Sequence, residues 1–170
     1  MQSPQISVTD FMPFIAIIIS GLVGTGIMTG IMYLSSFISE KTMKVPKILG
    51  TMLTFSTTAY GSLCNKPLCI SVGLVAHYAM GIFFMFSYYL LWHLDIGRPD
   101  VFYALIFGCA HGVVAILIWQ IFFYVHPNPP TIPLTSYSLG LLIGHIFFAL
   151  SGIISYNLTN QIFRIGEIQP

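Results

Sequence analysis

The stretch from His77 to Leu90 reads HYAMGIFFMFSYYL. It lies inside a run from Pro67 to Leu94 without Asp, Glu, Lys or Arg. A charge-free run of about 20 residues or more is a candidate membrane helix, and this one carries a histidine near its middle. A fainter copy, HIFFALSGIISYNL, occupies His145 to Leu158. Both read His, nine residues, Ser-Tyr, one residue, Leu.

Two further runs lack these charges, Phe11–Ser39 and Val101–Phe163. The second is too long for one crossing. HPNPPTIP at 126–133 divides it, because proline removes backbone donors and disfavours helix in the residue before it. The chain is 56% hydrophobic and only 6% charged, against about 25% charged in soluble domains. These features predict an all-α, integral membrane four-helix bundle. It forms a single membrane domain over residues 1–170, with spans at about 13–38, 68–93, 101–124 and 136–158. The echo between spans 2 and 4 suggests two tandem two-helix repeats. Two crossings per unit preserve orientation, so the axis relating the units would run along the membrane normal. A net charge of +1 gives no reason to expect nucleic acid. MQSPQISVTD has no basic region and the run after it exceeds a signal-peptide core, so it reads as a retained span.

Lys41, Lys44, Lys47 and Lys66 all fall between the first two spans, and the positive-inside rule puts that loop in the cytoplasm. Both termini and the DIGRPD loop then face outward. Residues 45–67 are less apolar than the spans and read as an interfacial segment holding a short helix from Pro46. Cys64 and Cys69, without nearby His or further Cys, read as ordinary thiols rather than metal ligands. Thr9 or Asp10 can cap the first span, with Pro13 in its first turn. Asp100 can cap the third, and Asp95 can pair with Arg98. Asn157-Leu-Thr159 fits a glycosylation acceptor but lies too near the bilayer to be used.

Small residues recur at helical spacing. Gly26 and Gly30 in the first span form one such pair. Gly73, His77 and Gly81 form a stripe in the second, which Tyr88 shares. Gly108, His111 and Gly112 border a histidine in the third span, and Gly144, His145 and Gly152 in the fourth. These eight glycines are the expected helix-packing positions. Thr25 and Thr29 are expected to return their hydroxyls to their own backbone. With about 1.5 Å of rise per residue and a core of about 30 Å, His77, His111 and His145 fall near the bilayer midplane.

GLVGTGIMTGIMYL (21–34), PKILGTML (46–53), HYAMGIFFMFSYYL and HIFFALSG (145–152) together resemble a family of small, uncharacterised bacterial four-span inner-membrane proteins. The resemblance implies four spans and a bacterial inner membrane. It carries no activity or substrate.

Ionisable groups inside a membrane tend to face the bundle interior and mark functional paths, and imidazole suits iron, zinc or copper. The first reading is therefore a binding or accessory subunit, with haem b or a transition metal as the expected cofactor. His77, His145 and His111 are its cofactor-binding residues, and His77 and His145 its metal ligands. Its partners would be the lipid bilayer and either further copies of the chain or other membrane subunits. The alternatives are an oligomeric small-solute or proton channel or carrier, and a purely structural membrane subunit. An enzyme is disfavoured, because Ser87 and Ser155 lie about three turns from His77 and His145 and the two acids of the DIGRPD loop form no catalytic carboxylate arrangement.

Overall fold

Proline opens three of the helices, where a missing N–H costs nothing. The computed structural model describes residues 11–168. Its helices are α1 Met12–Ser39, α2 Val45–Leu53, α3 Pro67–His93, α4 Val101–Val125 and α5 Leu134–Ile168. Pro13, Pro46 and Pro67 stand in the first turns of α1, α2 and α3. The Asp100 carboxylate caps α4 by accepting from Tyr103 N at 2.9 Å. The cap expected of Thr9 or Asp10 lies outside the described residues. Helices α1, α3, α4 and residues Leu134–Phe163 of α5 are each long and apolar enough to cross a membrane. Phe14, Leu74, Val113 and Phe147 are among the large apolar side chains left exposed on their outer faces, as a lipid solvent allows. The protein is an integral membrane four-helix bundle.

Helix α1 is the hub. It packs against α3 on one side and α5 on the other, and α4 packs on α5. The backbones of α3 and α4 barely approach each other. Two symmetric repeats would give α3 and α4 the same close packing that α1 and α5 have; a cleft opens there instead.

In lipid, helix association depends on close packing rather than on hydrophobic burial, so small residues decide which faces meet. A Cβ on Gly81 would run into Thr25, and one on Gly21 would lie 2.6 Å from Ile82 Cα. Gly108 and Gly112 lie against the α5 backbone at Ile146 and Leu142. Gly144 and Gly152 receive the flexible side chains of Met28 and Met85. The expectation for Gly26 and Gly30 is corrected. A Cβ on Gly30 would meet nothing within 4 Å, and one on Gly26 only the Tyr78 hydroxyl, at 3.7 Å. Gly21 and Gly24 bring α1 close to its neighbours instead, against Ile82 and Phe148, five and six positions before Gly26 and Gly30 respectively.

Helix α2 lies along the first half of α3. Gly50 sits on the Cys69 carbonyl and Gly73 on the Pro46 carbonyl, so Gly73 meets the short helix rather than another span. The helical part of 45–67 ends at Leu53. The connection that follows is pinned at both ends. His126 Nε2 donates to Met52 O at 3.0 Å, its Nδ1 accepts from Asn128 N, and its ring stacks on Phe55. Cys64 and Cys69, expected as ordinary thiols, form a disulfide. The helical turn at Pro67 brings Cys69 back beneath Cys64, a closeness that spacing alone does not reveal.

Three smaller expectations also change. Arg98 pairs with Asp100 at 3.3 Å rather than with Asp95, because Asp95 takes a left-handed turn conformation. Helix α5 continues past 158 to Ile168, so Asn157 is helical, and its Nδ2 donates to Pro99 O at 2.7 Å. Thr29 does not return its hydroxyl to its own backbone, whereas Thr25 does, to Gly21 O at 2.7 Å.

Candidate functional site: three histidines beside a lipid-facing cleft

His77 lies ten residues into α3, His111 ten into α4 and His145 eleven into α5. That is about 15 Å or slightly more of helical rise from the start of each helix, close to half of a hydrocarbon core of about 30 Å. All three rings are buried. Gly108 and Gly112 beside His111 let α4 approach α5 closely enough for its ring to meet that of His145.

His77 Nε2 is 3.0 Å from Thr29 Oγ1 on α1. His111 Nδ1 is 3.0 Å from the Tyr88 hydroxyl on α3. His145 Nδ1 donates to the Leu141 carbonyl one turn back, at 2.6 Å. A carbonyl only accepts, so Nδ1 carries the hydrogen, and Nε2 of the neutral ring presents a lone pair. The rings of His111 and His145 meet edge to face with centroids 4.4 Å apart, and Phe84 covers His111 at 3.6 Å.

No family model, curated protein or solved structure matches the chain. Two cavities define what these rings can touch. The smaller, about 40 Å³, is walled by all three histidines together with Thr25, Phe84 and Phe148. It has room for a water molecule or a small polar head. The larger, about 260 Å³, lies between α3 and α4 on the α2 side and is lined by His77 and His145. Its other walls are apolar, including Met28, Leu49, Ala115, Trp119 and Leu141. Met80 and Ile118 at its rim are 44% and 52% exposed, so the cleft opens sideways to lipid.

The metal and haem expectations can be tested against this arrangement. Among the described residues, no group of three His, Cys, Asp or Glu is placed to hold a metal ion. With metal–nitrogen bonds of about 2 Å, two axial imidazole nitrogens stand about 4 Å apart and their ring centres farther still. The 4.4 Å between the His111 and His145 centroids leaves no room for a porphyrin between them. His77 and His145 share both cavities, and His111 borders only the smaller.

Thr29, Tyr88, Leu141 and Trp119 also belong to this site, and sequence reasoning named none of them as the partner of a particular histidine. The signal for Tyr88 was its place on the His77 stripe, three turns on, although its hydroxyl turns to α4 rather than staying on its own helix.

Proposed function

We propose that the chain is a membrane binding subunit whose cleft between α3 and α4 takes a small apolar molecule bearing a hydroxyl or amine donor. The donor would rest on His145 Nε2 beside His77, and the apolar body would pass Trp119 and Ile118 toward lipid. The observation carrying this reading is the bond from His145 Nδ1 to the Leu141 carbonyl. It commits one nitrogen and leaves the other as an acceptor within apolar walls. Burying an acceptor without a partner costs about 1–3 kcal/mol, so the cleft favours a ligand that brings a donor. The cavity is close to the smallest volumes usual for ligand pockets, roughly 300 Å³.

A second reading, a transition metal on His77 and His145, has one point in its favour. A histidine that gives its other N–H to a backbone carbonyl is oriented as metal ligands are. Against it stands the lack of a third protein donor among the described residues.

The test is purification from native membranes in mild detergent, followed by organic extraction and mass spectrometry, with elemental analysis and an absorption spectrum in parallel. A hydroxylated apolar molecule that co-purifies with the protein and is lost in His145→Leu supports the proposal. Stoichiometric metal, a Soret band or no retained molecule overturns it.

We further propose a bacterial inner membrane, with the lysine-rich end in the cytoplasm, both termini outside, and assembly with further copies or other membrane subunits. The four lysines between α1 and α3 support the orientation.

A further inference from the structure

Beyond the histidine cleft, a polar cavity of about 870 Å³ opens at the lysine-rich end. Helix α2 borders both. It gives Val45 and Leu49 to the apolar cleft, and Lys47, with Lys44 just before its start, to the polar one. Lys41, Lys44 and Lys47 line the polar cavity, facing the single carboxylate of Glu40.

Among the described residues, none of the three ammoniums forms an ion pair, and the one ion pair is Arg98–Asp100, at the opposite end. Lys41 Nζ donates to Ser136 Oγ at 2.9 Å, and Lys47 Nζ donates to the Asn65 side-chain carbonyl. Lys44 Nζ stands 5.8 Å from the Tyr33 ring centre. Each is held by a neutral group that fixes its direction and leaves its charge uncancelled. Tyr60, Ser62 and Thr131 add hydroxyls to the same walls. Phe37 and Ile38, 84% and 72% exposed, end α1 beside it, which sets the cavity at the edge of the lipid.

We propose that this cavity binds a phosphate-bearing anion, with Lys41, Lys44 and Lys47 as its cationic wall. Lysine suits phosphate as a compact charge with several donors. The phosphate could come from an anionic lipid headgroup or from a soluble phosphomonoester. The proposal is independent of the histidine cleft.

The experiment is competitive acylation of the full-length protein in neutral detergent, with each lysine quantified by peptide mass spectrometry. Lys66 does not line the cavity and serves as the internal control. Phosphatidylglycerol mixed into the micelles, or glycerol 3-phosphate in solution, is expected to slow acylation of Lys41, Lys44 and Lys47 several-fold relative to Lys66. Protection by phosphatidylglycerol alone assigns a lipid headgroup, and protection by glycerol 3-phosphate as well assigns a soluble source. Glu40→Gln removes the one opposing carboxylate and should lower the half-protecting concentration. Lys44→Gln with Lys47→Gln should raise it about tenfold or more. Equal protection of all four lysines, protection by phosphatidylcholine as strong as by phosphatidylglycerol, or no protection at all overturns the proposal.

Discussion

The Tyr88 hydroxyl lies 3.0 Å from His111 Nδ1, and the opposite nitrogen of that ring, Nε2, is buried without a protein partner. If the phenol donates, Nε2 carries a hydrogen beside the small three-histidine cavity. The tyrosine therefore sets what His111 offers to that cavity.

Removing this hydroxyl should cost what a hydrogen bond between membrane helices is worth, about 1 kcal/mol. Tyr88→Phe is expected to lower the thermal midpoint in detergent by about 2–4 °C. Tyr124→Phe, on a side chain that is 90% exposed, should leave the midpoint unchanged. Equal behaviour of the two variants would refute a role for the bond.

Close packing makes a sharper stability prediction. Gly73→Ala drives a methyl group into the Pro46 carbonyl, and Gly50→Ala into that of Cys69. Backbone atoms cannot swing aside, so each should destabilise by about 1–3 kcal/mol. Gly30→Ala meets open space and gains up to about 1 kcal/mol of helix propensity. Denaturation series on the three variants should separate them in sign.

The disulfide and the lysines give opposing signals about topology. Lysine-rich loops favour the cytoplasm, where thiols are kept reduced. With the proposed orientation, Cys64 and Cys69 should be free thiols in growing cells and should bond once the protein meets air. The check is acid quenching of growing cells followed by alkylation of the denatured protein, because Cys64 and Cys69 are buried: all three cysteines should be modified. If Cys109 alone is then modified, the lysine-rich end faces an oxidising compartment and the orientation is reversed.

His126 provides the contrast with the midplane histidines. Both of its ring nitrogens are satisfied and its ring is stacked on Phe55, so its task is to hold the proline turn against the end of α2. His126→Ala should destabilise the fold by about 1–3 kcal/mol without selectively weakening any ligand in the α3–α4 cleft. Thermal midpoints measured together with ligand titrations would distinguish it from His145.

The four crossings were legible because missing charges report the solvent directly: lipid rejects Asp, Glu, Lys and Arg over a whole helix. The depth of His77, His111 and His145 followed from helical rise alone. Facing was harder to read. Gly26–Gly30 and Gly21–Gly24 lie in the same glycine-rich stretch, and only the position of α3 and α5 decides which of them is compressed. The Tyr88–His111 bond and the Cys64–Cys69 bond likewise depend on where a second element sits. Helix α5 runs past the expected end of the fourth span near 158, because Thr159 is buried and Asn157 reaches back to the Pro99 carbonyl.

Trp119 lines the cleft, and Trp92 is the only other tryptophan. Trp92→Phe therefore gives a protein whose indole fluorescence reports the site. The most direct measurement is titration of that protein in detergent with an isoprenoid alcohol such as farnesol and with its methyl ether. Saturable quenching is expected, with the alcohol bound about tenfold or more tightly than the ether, and with that difference abolished by His145→Leu. Equal binding of alcohol and ether, or a preference that survives His145→Leu, would contradict a cleft built around the free acceptor of His145.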